Sequence, residues 1–353
     1  MKIKKLMALV LVAAMSVTML SACGGSAPAE APAPAEEAAP AEEAPAEEAE
    51  PVAEEAEPAA EAASEGAIKI GVSVQGMTPF VVATIAALED NVQRYNDEGV
   101  EVELTVLDGD NDPALQINHC ENFVQQGMDV ILLNAISFDG STPAVEAAVA
   151  AGIPVITLIG EVAAQDQAAS FCGSKHYDSG VMIAEAAVRE NGDTFKCVVI
   201  EGTIGIDAQI QRLEGINDVL KDYPNVEIVE VQTANWDRPE AMALVENWIQ
   251  GGREFDVILS ENDNMALGAI EALKAANLAD KVKVYGVDGD NDALLAVKSG
   301  DYAGTALMSA VGQATHAIDY AVALAQGHPE KVEAFPDIPF EWVDINNVDE
   351  YLN

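Results

Sequence analysis

Residues 127–160 read GMDVILLNAISFDGSTPAVEAAVAAGIPVITLIG. Val130 to Leu133 is an apolar run without alternation, the pattern of a strand covered by helices on both faces of a parallel sheet. After Asn134 and a short loop, Thr142-Pro143 places a capping residue before a proline suited to the first helical turn. Gly152 marks the end of that helix, and Val155 to Leu158 supplies a second apolar strand. Strand, helix and strand in this order form a βαβ unit, whose crossover makes the two strands parallel.

The same rhythm extends in both directions. Strands are expected at Ile68 to Val74, Val100 to Leu107 and Ala169 to Cys172. A second series follows at Cys197 to Ile200, Val226 to Val231, Val257 to Leu259 and Val282 to Tyr285. Helices are expected near Gln209 to Leu220, Glu240 to Ile249, Met265 to Ala275 and Ala293 to Val297, and Thr78-Pro79 and Asp112-Pro113 open two more with a cap and a proline. Two βαβ series predict an α/β fold with two doubly wound parallel-sheet lobes. Ligands of such sheets sit beyond the carboxyl ends of the strands. Gln75 to Thr78 with Phe80, Asp108, Asn134 and Ile159-Gly160-Glu161 follow the first series. Glu201-Gly202-Thr203, Asn235-Trp236, Glu261-Asn262-Asp263 and Asp288 follow the second.

The chain begins Met1-Lys2-Ile3-Lys4-Lys5, and Leu6 to Ala22 is almost wholly apolar yet shorter than a membrane-spanning helix requires. This is the layout of a bacterial export signal over 1–22. Leu20-Ser21-Ala22-Cys23 resembles the lipobox of bacterial lipoproteins, which implies acylation of Cys23. Residues 23–66 are mostly Ala, Pro and Glu and cannot bury a core, so they read as an extended acidic tether. The formal charge of the whole chain is −43; setting aside thirteen tether glutamates and three leader lysines leaves −33 for residues 67–353. A body this acidic argues against nucleic acid or an anionic membrane as partner. Cys120 falls on a helical stripe with Ile117 and Val124, while Cys172 and Cys197 fall in strands, so all three read as buried small side chains.

Thr78-Pro79-Phe80, Leu133-Asn134, Gly152 to Thr157, Gly173-Ser174, Arg212-Leu213-Glu214-Gly215, Trp236-Asp237-Arg238, Glu261 to Ala269 and Gly286-Val287-Asp288-Gly289 occur in one order. Together they resemble the ribose-type sugar-binding proteins of ATP-driven importers, in the type I periplasmic binding protein superfamily. The resemblance implies three crossings between lobes, near Ser174, Met308 and Ile338. One lobe is then 67–174 with 309–337 and the other 175–308 with 338–353. It also implies a monomer that captures a small sugar or polyol outside the cell and delivers it to an ABC transporter permease. An alternative use of the same fold is a receptor that presents its ligand to a membrane sensor.

Carried over residue by residue, the resemblance implies that Phe80 and Trp236 face the apolar side of the sugar. Asp288 accepts hydroxyl protons, Asn134 and Asn262 offer both donors and acceptors, and Arg212 reaches in from the second lobe. Thr78 and Met308 take positions where an amide and a glutamine are usual, Val81 one where a second aromatic is common. Ile159-Gly160 replaces an Asp-Arg pair that clamps hydroxyls. A site without these groups should select another ligand than ribose: a deoxy or branched sugar, a cyclic polyol, a furanosyl molecule or a nucleoside. The acidic turns 108–112 and 288–292 lack the glycine and glutamate of a calcium loop. No phosphate-cradling loop or nucleophile elbow occurs. No enzyme activity, cofactor or metal is expected. The site is expected on the outer face of a single membrane or in a periplasm, lipid-anchored.

Overall fold

The computed structural model describes residues 66–352. The expected leader, tether and Cys23 anchor lie outside the described residues. Among the described residues, no helix is long and apolar enough to cross a membrane.

The first sheet is wholly parallel, in the order β2 (Val102–Asp108), β1 (Ile68–Val74), β3 (Val130–Leu133), β4 (Val155–Ile159) and β5 (Ser170–Gly173). The second runs β11 (Glu341–Asp344), β10 (Gly304–Leu307), β9 (Lys283–Asp288), β8 (Val257–Ser260), β6 (Thr194–Glu201) and β7 (Asn225–Thr233). Only β11 is antiparallel to its neighbour.

Alternate residues of the central strands enter different cores, which is why those strands are apolar without alternation, whereas the edge strands β2 and β7 alternate. Leu132 packs under α1 (Pro79–Asp97) and α9 (Ala310–Ala325), whereas Ile131 and Leu133 pack against α2 (Pro113–Gln126) and α3 (Thr142–Ala150). In the second sheet Val198 and Ile200 face α6 (Arg238–Gln250), α7 (Asp263–Ala275) and α8 (Asn291–Ser299). Cys197 and Val199 face α4 (His176–Asn191) and α5 (Asp207–Leu220). Each fully buried Val, Leu or Ile contributes about 1.5–3 kcal/mol. Cys120, Cys172 and Cys197 are free thiols inside these cores, and burial pushes each up to about 12.

The chain leaves the first sheet after β5, enters the second through α4, and returns after β10, where α9 lies on the first sheet beside α1. Ser170 and Phe171 of β5 hydrogen-bond to the carbonyls of Glu333 and Ala334 before the chain goes back to the second sheet as β11.

Two local expectations differ from what is observed. Thr142 is the first helical residue of α3, and Ser141 stands at its capping position without a side-chain cap bond, because the Ser141 hydroxyl is taken up by the Ile136 and Ser137 amides and by Gln116. The strands β6, β7 and β9 are also longer than their apolar centres, extending through Glu201, Thr233 and Asp288.

Candidate functional site: a cleft between the two sheets

Both sheets present their carboxyl ends to one cleft, whose free space with its open mouth included is about 520 Å³. All eight residues expected in the site line it: Thr78, Phe80, Asn134, Arg212, Trp236, Asn262, Asp288 and Met308. The chain also closes across it. The Phe138 amide donates to the Gly205 carbonyl at 2.9 Å, and the Glu161 amide donates to Asp207 Oδ2 at 3.1 Å.

On the first-sheet side, Thr78 caps α1 by accepting the Val81 amide at 3.3 Å, so its hydroxyl is already committed on one side. Pro79 fixes the first turn, and Phe80 inserts among apolar residues of the second-sheet core, including Met308 and Phe340. Asn134 is 2% exposed; its Oδ1 accepts the Gln75 amide at 3.0 Å, leaving Nδ2 without a protein partner among the described residues. Ile159 adopts φ 66°, a conformation that a β-branched residue rarely takes and that costs about 1–3 kcal/mol. Its carbonyl accepts from His176 Nε2 at 2.6 Å.

His176 was not singled out by the sequence. Its ring is fully buried, and burial together with the Arg212 charge lowers its pKa to about 3, so it is neutral. With Nε2 donating to Ile159, Nδ1 accepts from Arg212 Nη2 at 3.2 Å. Arg212 also donates to the Glu261 carbonyl and faces Asp288 Oδ1 at 3.5 Å. It is therefore a buried group of the cleft and makes no surface pair with Glu214 or Glu201. Gly180 makes this possible, because a Cβ there would meet the Arg212 carbonyl at 2.1 Å.

Trp236 follows Asn235, and both have positive φ, 62° and 52°. The ring lies on Gly202, where an added Cβ would overlap it, and the Arg212 guanidinium sits 5.7 Å from the ring centroid. Asn262 caps α7 through Oδ1, which accepts the Met265 amide at 2.9 Å and leaves its amide nitrogen for the cleft. Asp288 ends β9 at φ 125° and is 6% exposed. Burial raises its carboxyl well above the usual range, and Arg212 pulls it back.

The turn after Asp288 is held from below by a second residue outside the expected set. Asp263 accepts from the Gly289 and Asp290 amides at 2.7 and 3.0 Å, from Tyr302 at 2.6 Å and from Thr305 at 2.8 Å. Four donors mark an ionised carboxylate, although burial pushes its pKa up to about 6. Glu261 takes only the Gly202 amide on Oε2 and has no partner on Oε1, and burial raises it well above the usual range. It is held as the neutral acid, since a fully buried charge with one hydrogen bond is not sustained.

Two sheets facing one another with amides, an arginine, aromatic rings and a carboxylate between them define a two-lobed ligand-binding protein. Residues 70–329 match the periplasmic binding protein domain family, and the chain belongs to it. The xylitol-binding protein of Mycolicibacterium smegmatis is 30% identical over 78% of this chain and 78% of its own length. A ribose import binding protein of Haemophilus influenzae is 33% identical over 68% of this chain and 82% of its own. An ABC transporter solute-binding protein of Bacillus halodurans, solved with myo-inositol bound, superposes with TM-score 0.77 at 33% identity, covering 82% of this chain and 98% of that one.

Proposed function

We propose that this chain captures a small hydroxylated ring outside the cell and delivers it to an ABC importer. The lobes that close on it are 67–174 with 309–337 and 175–308 with 338–353. The observation that carries the reading is the cleft lined from both sheets by Asn134, Arg212, Trp236, Asn262 and Asp288. Amide and carboxylate edges suit hydroxyls, each of which both donates and accepts, and the rings of Phe80 and Trp236 suit the apolar faces of a cyclic ligand.

With Ile159 where a charged clamp is usual, and myo-inositol bound by one relative, the ligand class is a cyclic polyol or furanose sugar rather than ribose. A ligand that binds only the folded form raises its melting temperature. A thermal-shift screen over polyols, pentoses, hexoses and nucleosides should therefore give a shift for a cyclic polyol or furanose. A response to amino acids or peptides alone refutes the reading. The anchor at Cys23 is part of the same proposal: Cys23→Ala should move the protein from the membrane fraction to the soluble one, and unchanged membrane association contradicts it.

A further inference from the structure

The cleft holds more negative charge than a neutral polyol calls for. Glu161, Asp207 and Asp288 line it, and Arg212 is the one cation among the lining residues. Arg212 faces Asp288, at 3.5 Å. Glu161 lies just beyond β4 of the first sheet and Asp207 opens α5 of the second, so closure of the cleft brings two carboxyls together from opposite sides. Neither carboxyl is in an ion pair among the described residues. Asp207 accepts the Glu161 amide and Gln211 Nε2, while the Glu161 carboxyl has no hydrogen-bond partner. Burial raises both acids, and the Asp207 charge raises Glu161 further.

Two groups that line the cavity keep a polar atom free for hydrogen bonding. Asn134 Nδ2 and Asp288 Oδ2 have no partners among the described residues although both residues are more than nine-tenths buried and line the cavity. These suit hydroxyls. The Glu161 and Asp207 edge, once ionised, offers acceptors only. A hydroxyl brings one donor to such an edge, whereas an ammonium brings three donors and a compensating charge.

We propose, resting on the reading above, that the preferred ligand is a hydroxylated ring bearing one protonated primary amine. Its ammonium lies between Glu161 and Asp207, and its hydroxyls meet Asn134 and Asp288. The cation offsets the repulsion that closure creates, so it favours the closed form directly.

Calorimetric titration at neutral pH with matched pairs tests this: a cyclic polyol or hexose against the same ring with one hydroxyl replaced by an amine. At least one amine should bind tenfold or more tightly than its parent, with the advantage shrinking as salt is added. Glu161→Gln should bring the amine-to-parent ratio toward one, while Glu161→Asp keeps it well above one; circular dichroism and melting verify that both variants are folded. Parents that bind while no amine binds more tightly overturn the inference and leave the polyol reading standing. A ratio unmoved by Glu161→Gln also overturns it. If neither parents nor amines bind, both readings fail.

Discussion

Asp288 shows how one side chain is made ready by several others. Its backbone is bent at φ 125°, its carboxyl is buried beside Arg212, and Arg212 is in turn fixed by a neutral His176 and the Glu261 carbonyl. Removal of the carboxylate leaves a buried guanidinium without its counter-charge and the ligand hydroxyls without their acceptor; losing one side of such a pair costs about 2–5 kcal/mol. Asp288→Ala should therefore weaken ligand binding by at least about 30-fold while the far-ultraviolet circular dichroism stays native. Retention of wild-type affinity in a titration would remove Asp288 from the site. The order of residues after the strands brought out Asn134, Trp236, Asn262 and Asp288, because each follows an apolar run whose end is legible, whereas Arg212 inside α5 and Met308 after β10 came from the resemblance. His176, Asp263 and Glu261 as a neutral acid were not legible in this way. Their roles depend on partners 36, 39 and 59 residues away in the chain, namely Arg212, Tyr302 and Gly202.

Elements were readable in proportion to their apolar content. Val130-Ile131-Leu132-Leu133 lies between two cores and announces itself; Gly304–Leu307 and Glu341–Asp344 do not. The first, GTAL, holds one large apolar residue, and the second, EWVD, carries charge at both ends. They are strands because β9 already offers a free edge to which they add in turn. Helix starts were legible where a side chain satisfies the first amides, as at Thr78 and Asp112. They were less so at α5, whose capping position is Ile206 with no side-chain bond. There the chain starts a helix inside the cleft wall, and Asp207 turns one carboxyl oxygen across the cleft to the Glu161 amide and the other to Gln211 of its own helix.

At the scale of the molecule, acidity and burial act together. Asp263 is pushed up to about 6, and Glu261 and Asp288 well above the usual carboxyl range, all by burial. A carboxyl raised on folding binds a proton in the native state that the unfolded chain has already released, so stability falls as pH rises from about 4 through its folded pKa. His176 acts in the opposite sense: lowered to about 3, it loses stability as pH falls below about 6.5, where the unfolded ring takes up a proton. The raised carboxyls outnumber the two histidines lowered by burial, His176 and His119, and a formal charge of −43 adds repulsion that protonation relieves. The melting temperature should rise as pH is lowered from 8 to about 5.5, by about 2–4 °C for each kcal/mol recovered. A calorimetric series that is flat, or that falls toward acid, would show that these groups do not govern stability.

The path of the chain through α9 and β11 also sets the order in which the protein can be made. Residues 310–325 roof the first sheet, and residues 341–344 finish the edge of the second. A nascent chain halted at Leu307 has every strand of the first sheet but not its α9 cover, and it lacks β11 of the second, so the apolar faces of Leu88, Val72 and Ile156 are still without Ala317 and Ile318. Neither half can reach its final form before the last few dozen residues are made, however early its own strands emerge.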